Sequence, residues 1–397
     1  MTKLPSLARA RWLSEPGLQQ IFAVIAAAGG EARVAGGAVR NALFKVPVAD
    51  VDVAATLPPM RVMEVCQAAG LGVHPTGIDH GTVTVVAHHR PYEVTTLRHD
   101  VETDGRRARV AFHDDWERDA LRRDFTMNAL YCDDRGKIHD FTDGYRDILR
   151  NRIIFVGSPS KRIEEDYLRI LRFFRFHAQF GKGSPDAAGL AACRRYARRL
   201  GSLSAERIRQ EMMKLIAAPG AVATLGIMAR EGILKRILPY TEQWRVLGRL
   251  PPDPVLRLAV LAAEPRTLKE RLRLSNHEAG RIDAVLQATP PSPELGAREQ
   301  RMALYRMGAD TWRDAVNLAW ARSKAPLDDA KWKRLLRLPD RWSIPALPVN
   351  GKDLIAAGLK AGPELGEALR RIEDRWVQSD FKPDREELLK RNEERDW

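Results

Sequence analysis

The 397-residue chain carries 65 Lys and Arg against 52 Asp and Glu, a formal net charge of +13, and 44% of its residues are apolar. That apolar share excludes wholesale disorder, the lack of any run of about 18 apolar residues excludes a transmembrane helix, and the length predicts two to four domains. The positive excess favours a polyanionic partner, because each cation that meets a phosphate releases condensed counterions. The N-terminal segment has no apolar centre of the kind a secretory signal carries. The three cysteines, Cys66, Cys132 and Cys193, are not spaced for a metal site and suit a reducing compartment, so the cytoplasm is the expected location.

In chain order, Ser14 predicts a capped helix over 19–28 that stops at Gly29-Gly30. A short strand over 33–35 leads into Gly36-Gly37, and a short helix over 39–44 follows. Residues 48–56 (VADVDVAAT) alternate polar with apolar and predict a strand. Pro58-Pro59 open a helix up to about residue 69, and strands over 82–87 and 92–97 flank the turn His88-His89-Arg90-Pro91. After about residue 151 the strand signals fade. Stretches over 161–181, 204–217 and 222–231 read as helices, with Pro- and Gly-bearing breaks between later ones. The expected fold class is therefore α+β: a small mixed sheet with helices, followed by an all-helical, elongated remainder.

The chemistry-bearing pattern is Gly36-Gly37, then twelve residues, then Asp50-Val51-Asp52. On a strand the two carboxylates share a face, and their repulsion invites a divalent cation; oxygen-only ligands suit Mg²⁺, with Mn²⁺ as a substitute. Two such ions could activate an attacking hydroxyl and stabilise a leaving oxygen. Glu93, on the YEVTTLR strand beside Thr95, is the candidate third carboxylate. Gly36 and Gly37 let a phosphate approach backbone amides at a helix start, and Arg40 could contact a triphosphate. The string VAGGAVRNALFKVPVADVDVAAT resembles the branch of the nucleotidyltransferase superfamily that holds CCA-adding enzymes and bacterial poly(A) polymerases. That branch has Asp where this chain has Asn41.

Two later strings extend the likeness. Arg122-Arg123-Asp124-Phe125-Thr126-Met127-Asn128-Ala129 reads as the start of a helix, with Asp124 and Asn128 on one face. It resembles the family's ribose-recognition motif, which implies that Arg123, Asp124 and Asn128 bind the nucleotide. In RIEEDYLRILR, Asp166 and Arg169 are i, i+3 neighbours on a predicted helix. An acceptor-only carboxylate beside a donor-only guanidinium matches the amino and ring-nitrogen edge of cytosine and adenine, and opposes that of uracil and guanine. The family's E-D-x-x-R motif implies this base-reading role for Asp166 and Arg169, with Glu165 in support. Arg172 and Arg175 continue the basic side toward phosphate or RNA. Glu206 to Glu211 resembles the family's helix-stabilising motif.

The resemblance implies a catalytic head over 1–150, a base-selecting helical neck over 151–220, and a tRNA-binding body and tail over 221–397. It implies stepwise addition of C, C and A to tRNA from CTP and ATP, or, alternatively, A-tailing of RNA by a poly(A) polymerase. The stretch from Thr95 to Arg107 resembles the flexible loop of the CCA-adding branch and favours the first. No membrane partner is expected.

Overall fold

In TVTVVA, Val83, Val85 and Ala87 are buried and Thr82, Thr84 and Val86 half-exposed, the period-two pattern of a strand packed on one side. In the computed structural model, which describes residues 3–104, 107–264 and 267–393, this strand belongs to a seven-stranded sheet. The chain divides at Tyr240/Thr241 into two compact units.

The first unit opens with α1 (Pro16–Ala27), β1 (Ala32–Ala35), α2 (Gly37–Leu43), β2 (Val53–Ala55) and α3 (Pro59–Ala68). Then come β3 (Gly72–Gly77), β4 (Thr82–Ala87), β5 (Arg90–Thr96), β6 (Arg98–Asp104) and β7 (Arg107–Phe112). The sheet closes with β8 (Leu130–Cys132) and β9 (Ile138–Asp140), on either side of which lie α4 (Trp116–Leu121) and α5 (Gly144–Leu149). Strand order is β3-β4-β5-β2-β1-β8-β9, and β6-β7 form a separate hairpin. Among the described residues only β2 and β5 run parallel, with Val53 opposite Val94. That register sets Asp52, one residue earlier, beside Glu93. On α1, Leu18, Ile21, Phe22 and Ile25 are buried at helical spacing and pack the helix on the sheet and α3.

Helices α6 (Pro159–Glu165), α7 (Leu168–Phe180), α8 (Ala187–Tyr196), α9 (Ala205–Ala217), α10 (Ala221–Arg230) and α11 (Leu234–Ile237) complete this unit. The phenylalanines of α7 join it to the sheet region: Phe173 stacks on Phe155 at 5.5 Å and Phe176 meets Phe125 edge-on at 5.4 Å.

Several sequence expectations change. The strand over 48–56 shortens to Val53–Ala55; β1 ends at Ala35 and its chain turns into α2, so residues upstream of Asp52 lose β1 as a neighbour. Ser14 is not the cap; α1 starts at Pro16 behind Glu15, and the Ser14 hydroxyl donates to the Arg11 carbonyl at 3.0 Å. The Arg122–Ala129 string is not a helix. Its centre pairs with residues 154–156, as Thr126 N–H donates to the Ile154 carbonyl at 2.9 Å, and only a 3₁₀ turn forms over Thr126–Asn128. The helix over 161–181 breaks at Asp166, whose backbone is extended and whose carboxylate accepts from Leu168 N–H at 3.1 Å, competing with the helical ladder. Within the stretch from Thr95 to Arg107, Arg98–Asp104 form β6, which pairs with β7, while Gly105 and Arg106 lie outside the described residues.

The second unit is helical: α12 (Pro254–Leu261), α13 (Leu268–Arg271), α14 (Asn276–Gln287), α15 (Ala297–Met307) and α16 (Ala309–Arg322), then α17 (Ala330–Leu336), α18 (Leu338–Arg341), α19 (Gly351–Ala356), α20 (Pro363–Gln378) and α21 (Arg385–Glu393). One core gathers Leu304, Trp312, Val316 and Leu335, and the Trp312 indole donates to the Leu335 carbonyl at 3.0 Å. A second gathers Leu354, Ile372 and Trp376. Among the described residues no helix is long and apolar enough to cross a membrane.

Candidate functional site

The predicted carboxylates gather in the middle of the sheet, at the start of β2 where it runs parallel to β5, with Asp50 in electrostatic reach of Asp52. Burial, and then the negative charges of Glu93 and Asp50, raise the Asp52 carboxyl above its ordinary range; Arg123 opposes the shift. Asp52 and Glu93 line a cleft of about 230 Å³ with Gly37, Asp119, Arg122 and Arg123. Val51 and Val53, on either side of Asp52, are buried and anchor the segment. Among the described residues, no three His, Cys, Asp or Glu side chains are closed into a metal cluster. The site still fits a hard divalent cation, because its donors are all oxygens and their mutual repulsion is what a cation relieves.

The segment carrying Asp50 is gripped from two sides. The Asn41 amide donates to the Pro47 carbonyl at 3.1 Å while its oxygen accepts from Arg40 at 2.8 and 3.1 Å. An Asp at position 41 could pair with Arg40 but has no proton for Pro47. On the other side, Arg90 donates to the Ala49 carbonyl at 3.1 Å and is itself held by Glu15.

Gly36 is required by its surroundings. Its φ is +59°, and a Cβ there would stand 3.0 Å from the Arg123 guanidinium and 3.1 Å from the Asn128 carbonyl. Arg123 reaches this place from a buried network that sequence reasoning missed. Its guanidinium donates to Asp119 at 3.1 Å and to the Tyr131 hydroxyl at 3.0 Å, and Tyr131 donates to Asp119 at 2.6 Å. Burial alone would raise the Asp119 carboxyl, but Arg123, Arg122 and the Tyr131 hydroxyl hold it well below the usual carboxylate range. The available signal was Asp119 four residues ahead of Arg123, which reads as an ordinary surface helix pair until the fold buries it.

A second cluster joins α2, the 3₁₀ turn and α7. Asp124 accepts from Asn128 at 2.9 Å and from Arg172 at 2.7 Å, so these residues do come together, but through a turn and a neighbouring helix. Burial would raise Asp124, yet Arg172 and Asn128 lower it. Arg40 donates to the Asn128 amide oxygen at 2.6 Å and lies 5.0 Å over the Phe176 ring. Arg175 donates to buried Glu211 at 2.5 Å, and Arg172 lies 3.7 Å from the same residue. Burial and the nearby Arg175 charge bring Arg40 down to about 10, with Asp124 only partly offsetting them. Three guanidiniums thus share two carboxylates, leaving positive charge for an anion to meet.

The Arg169 N–H donates to the Asp166 carbonyl at 3.0 Å, but the two side chains take other partners. Asp166 accepts from Arg207 of α9 at 2.7 Å, while Arg169 donates to Glu165 at 2.6 Å and to the Arg162 carbonyl at 2.9 Å. Arg207 went unrecognised as a partner because its link to Asp166 spans 41 residues.

Three family models match in succession: "Poly A polymerase head domain" over residues 32–154, "Probable RNA and SrmB- binding site of polymerase A" over 185–245, and tRNA nucleotidyltransferase domain 2 over 255–391. The mitochondrial CCA tRNA nucleotidyltransferase 1 of Danio rerio is 35% identical, over 90% of this chain and 86% of its own. The CCA-adding enzyme of Latilactobacillus sakei is 32% identical, over 93% of this chain and 96% of its own. The crystal structure of the Bacillus stearothermophilus CCA-adding enzyme in complex with CTP superposes with a TM-score of 0.79 at 30% identity, covering 96% of this chain and 98% of that one. With its head motifs gathered at one cleft and its likeness running into the helical second unit, the chain belongs to the family of CCA-adding tRNA nucleotidyltransferases.

Proposed function

We propose that this protein adds C, C and A to the 3′ end of tRNA from CTP and ATP without a nucleic-acid template, releasing pyrophosphate. The observation that carries the reading is the placing of Asp52 and Glu93, with Asp50 in electrostatic reach, in one cleft with Arg123. The likeness to CCA-adding enzymes over 90% or more of the chain favours this over A-tailing.

In this reading Asp50 and Asp52, with Glu93, hold divalent cation, Mg²⁺ or Mn²⁺. When bound, the cation lowers the pKa of the RNA 3′-hydroxyl and offsets charge on the triphosphate. Gly36 and Gly37 keep side chains away from the phosphates. Arg123, aimed by Asp119 and Tyr131, and Arg40, with Arg172 and Arg175 behind it, supply the positive field. Asp124 and Asn128 meet the ribose. Asp166, oriented by Arg207, accepts the amino group of cytosine or adenine, and Arg169 donates to the adjacent ring nitrogen. Uracil or guanine would set a carbonyl against the Asp166 carboxylate and an N–H against the Arg169 guanidinium, a mismatch that costs affinity. Residues 1–150 act as the catalytic head, 151–220 as the base-selecting neck and 221–397 as the tRNA-binding part. The three buried cysteines suit the cytoplasm.

The test is to offer tRNA lacking its CCA end, with Mg²⁺, each NTP singly and then CTP with ATP. Addition of two residues from CTP alone and three from both establishes CCA addition. Long A tails from ATP alone would establish the polymerase instead, and no extension would refute both.

A further inference from the structure

We propose that Tyr167 and Tyr196, flanked by Arg195, Arg198 and Arg199, form a stacking platform for the single-stranded 3′ end of the RNA. The inference rests on the reading of this chain as an enzyme that extends RNA ends. The two rings lie 6.3 Å apart, inclined at 38°, and both are half-exposed. Arg199 stands 5.1 Å over the Tyr167 ring and Arg195 stands 5.4 Å over that of Tyr196. Such a set, π-faces interleaved with guanidiniums, binds single strands with little base preference, since every base offers a face to stack and every link a phosphate.

Charge and position support it. The stretch over 187–203 contains four arginines and no acid. Arg194 lies 3.6 Å from Glu231, but among the described residues none of the ion pairs uses Arg195, Arg198 or Arg199, and all three are exposed. The neck arginines of α7 differ: Arg172 and Arg175 are tied to Asp124 and Glu211. Tyr167 directly follows Asp166, so an RNA end stacked here lies beside the base-selecting position. A competing role must be separated from this one. The Tyr196 hydroxyl donates to Glu164, so the ring could serve only to brace α8 against α6.

The conservative variant separates them, because Phe keeps the π-face and loses the hydroxyl. Binding is measured by fluorescence anisotropy on the full chain, using a tRNA minihelix with a single-stranded 3′ end and a blunt one, over a salt series. Tyr196→Ala should weaken binding of the single-stranded-ended RNA by about 5- to 100-fold, the effect of losing one stacked base, with Tyr196→Phe staying within about twofold of wild type. Arg198→Ala and Arg199→Ala should each reduce the slope of log K against log salt by about 0.7 to 0.9. CTP binding without RNA, followed calorimetrically, should be unchanged in Tyr196→Ala, which also reports its folding. Equal weakening by Phe and Ala would assign Tyr196 to the brace and overturn the platform. Wild-type affinity in Tyr196→Ala would overturn it as well, leaving the functional reading intact. No RNA binding by the wild-type chain would instead overturn the functional reading, and the platform with it.

Discussion

The carboxylate cleft at β2 and β5 and the guanidinium cluster between α2 and α7 are unbalanced in opposite senses. In the first, burial and then the negative charges of Glu93 and Asp50 make the Asp52 carboxyl resist ionisation. In the second, burial and then the charges of Arg175 and Arg172 make the Arg40 guanidinium release its proton more easily than usual. A structural ion-pair network would bring the two signs together, as Asp119 and Arg123 do in the wall of the carboxylate cleft. Here each half is left incomplete, and in the proposed function a divalent cation and a nucleoside triphosphate would carry the missing charges. The comparison teaches that local electrostatic imbalance, rather than any one residue, marks the site.

The strongest way to break this comparison is Asp52→Ala. It should lower the rate of both C and A addition by roughly 10³-fold or more, as removal of a principal charge-stabilising group does, while tRNA affinity is retained. Single-turnover extension beside a binding titration checks it, and retained activity would end the assignment of the cleft.

Asp119→Ala tests the balanced neighbour. Removing a buried partner that two arginines and a tyrosine share should cost about 3–5 kcal/mol of stability, read by urea unfolding. Because the Asp119 carboxyl is depressed, its contribution is present above the ordinary carboxylate pKa and is lost as pH falls through the folded-state value. The contribution should therefore be absent in strong acid, where wild type and variant converge.

On the neck side, Arg207→Met should raise UTP incorporation relative to CTP by about tenfold or more, since it frees the Asp166 carboxylate from a charged hydrogen bond. An unchanged CTP-to-UTP ratio would show that Asp166 is oriented without it.

The pH response sharpens the contrast further. The Asp52 carboxyl is raised, so in the cation-free protein its influence on folding is most favourable when protonated and fades as pH rises through its folded value. Asp52→Asn should then raise the melting temperature of the cation-free protein at neutral pH by a few degrees, and Mg²⁺ should stabilise wild type but not the variant. A variant that melts earlier than wild type would refute the repulsion. The smallest effect is expected from Asn41→Asp, which keeps the pairing with Arg40 but loses the donor to Pro47. A loss of about 0.5–1.5 kcal/mol, read as a few-fold higher Mg²⁺ requirement, fits one solvent-exposed hydrogen bond.

Composition and local pattern were enough to place a mixed sheet before a helical remainder and to nominate Gly36, Gly37, Asp50, Asp52 and Glu93 as candidates, of which the fold sets Gly37, Asp52 and Glu93 in one cleft. Acidic residues at strand spacing after a glycine pair leave a signature within a few dozen positions. The same local reasoning made helices of the Arg122–Ala129 string and of Asp166, where propensity favours them, and the fold overrides both. Only tertiary structure decided that residues 154–156 draw Asp124 and Phe125 into strand-like pairing. It alone brought Arg172 to Asp124 across 48 residues, Arg207 to Asp166 across 41 and Arg90 to the Ala49 carbonyl across the same number. The physical reason is that the sequence states which groups carry charge and which hydrogen bonds they can make, whereas burial, which sets how strongly those charges act and whom they must meet, exists only once distant segments pack together.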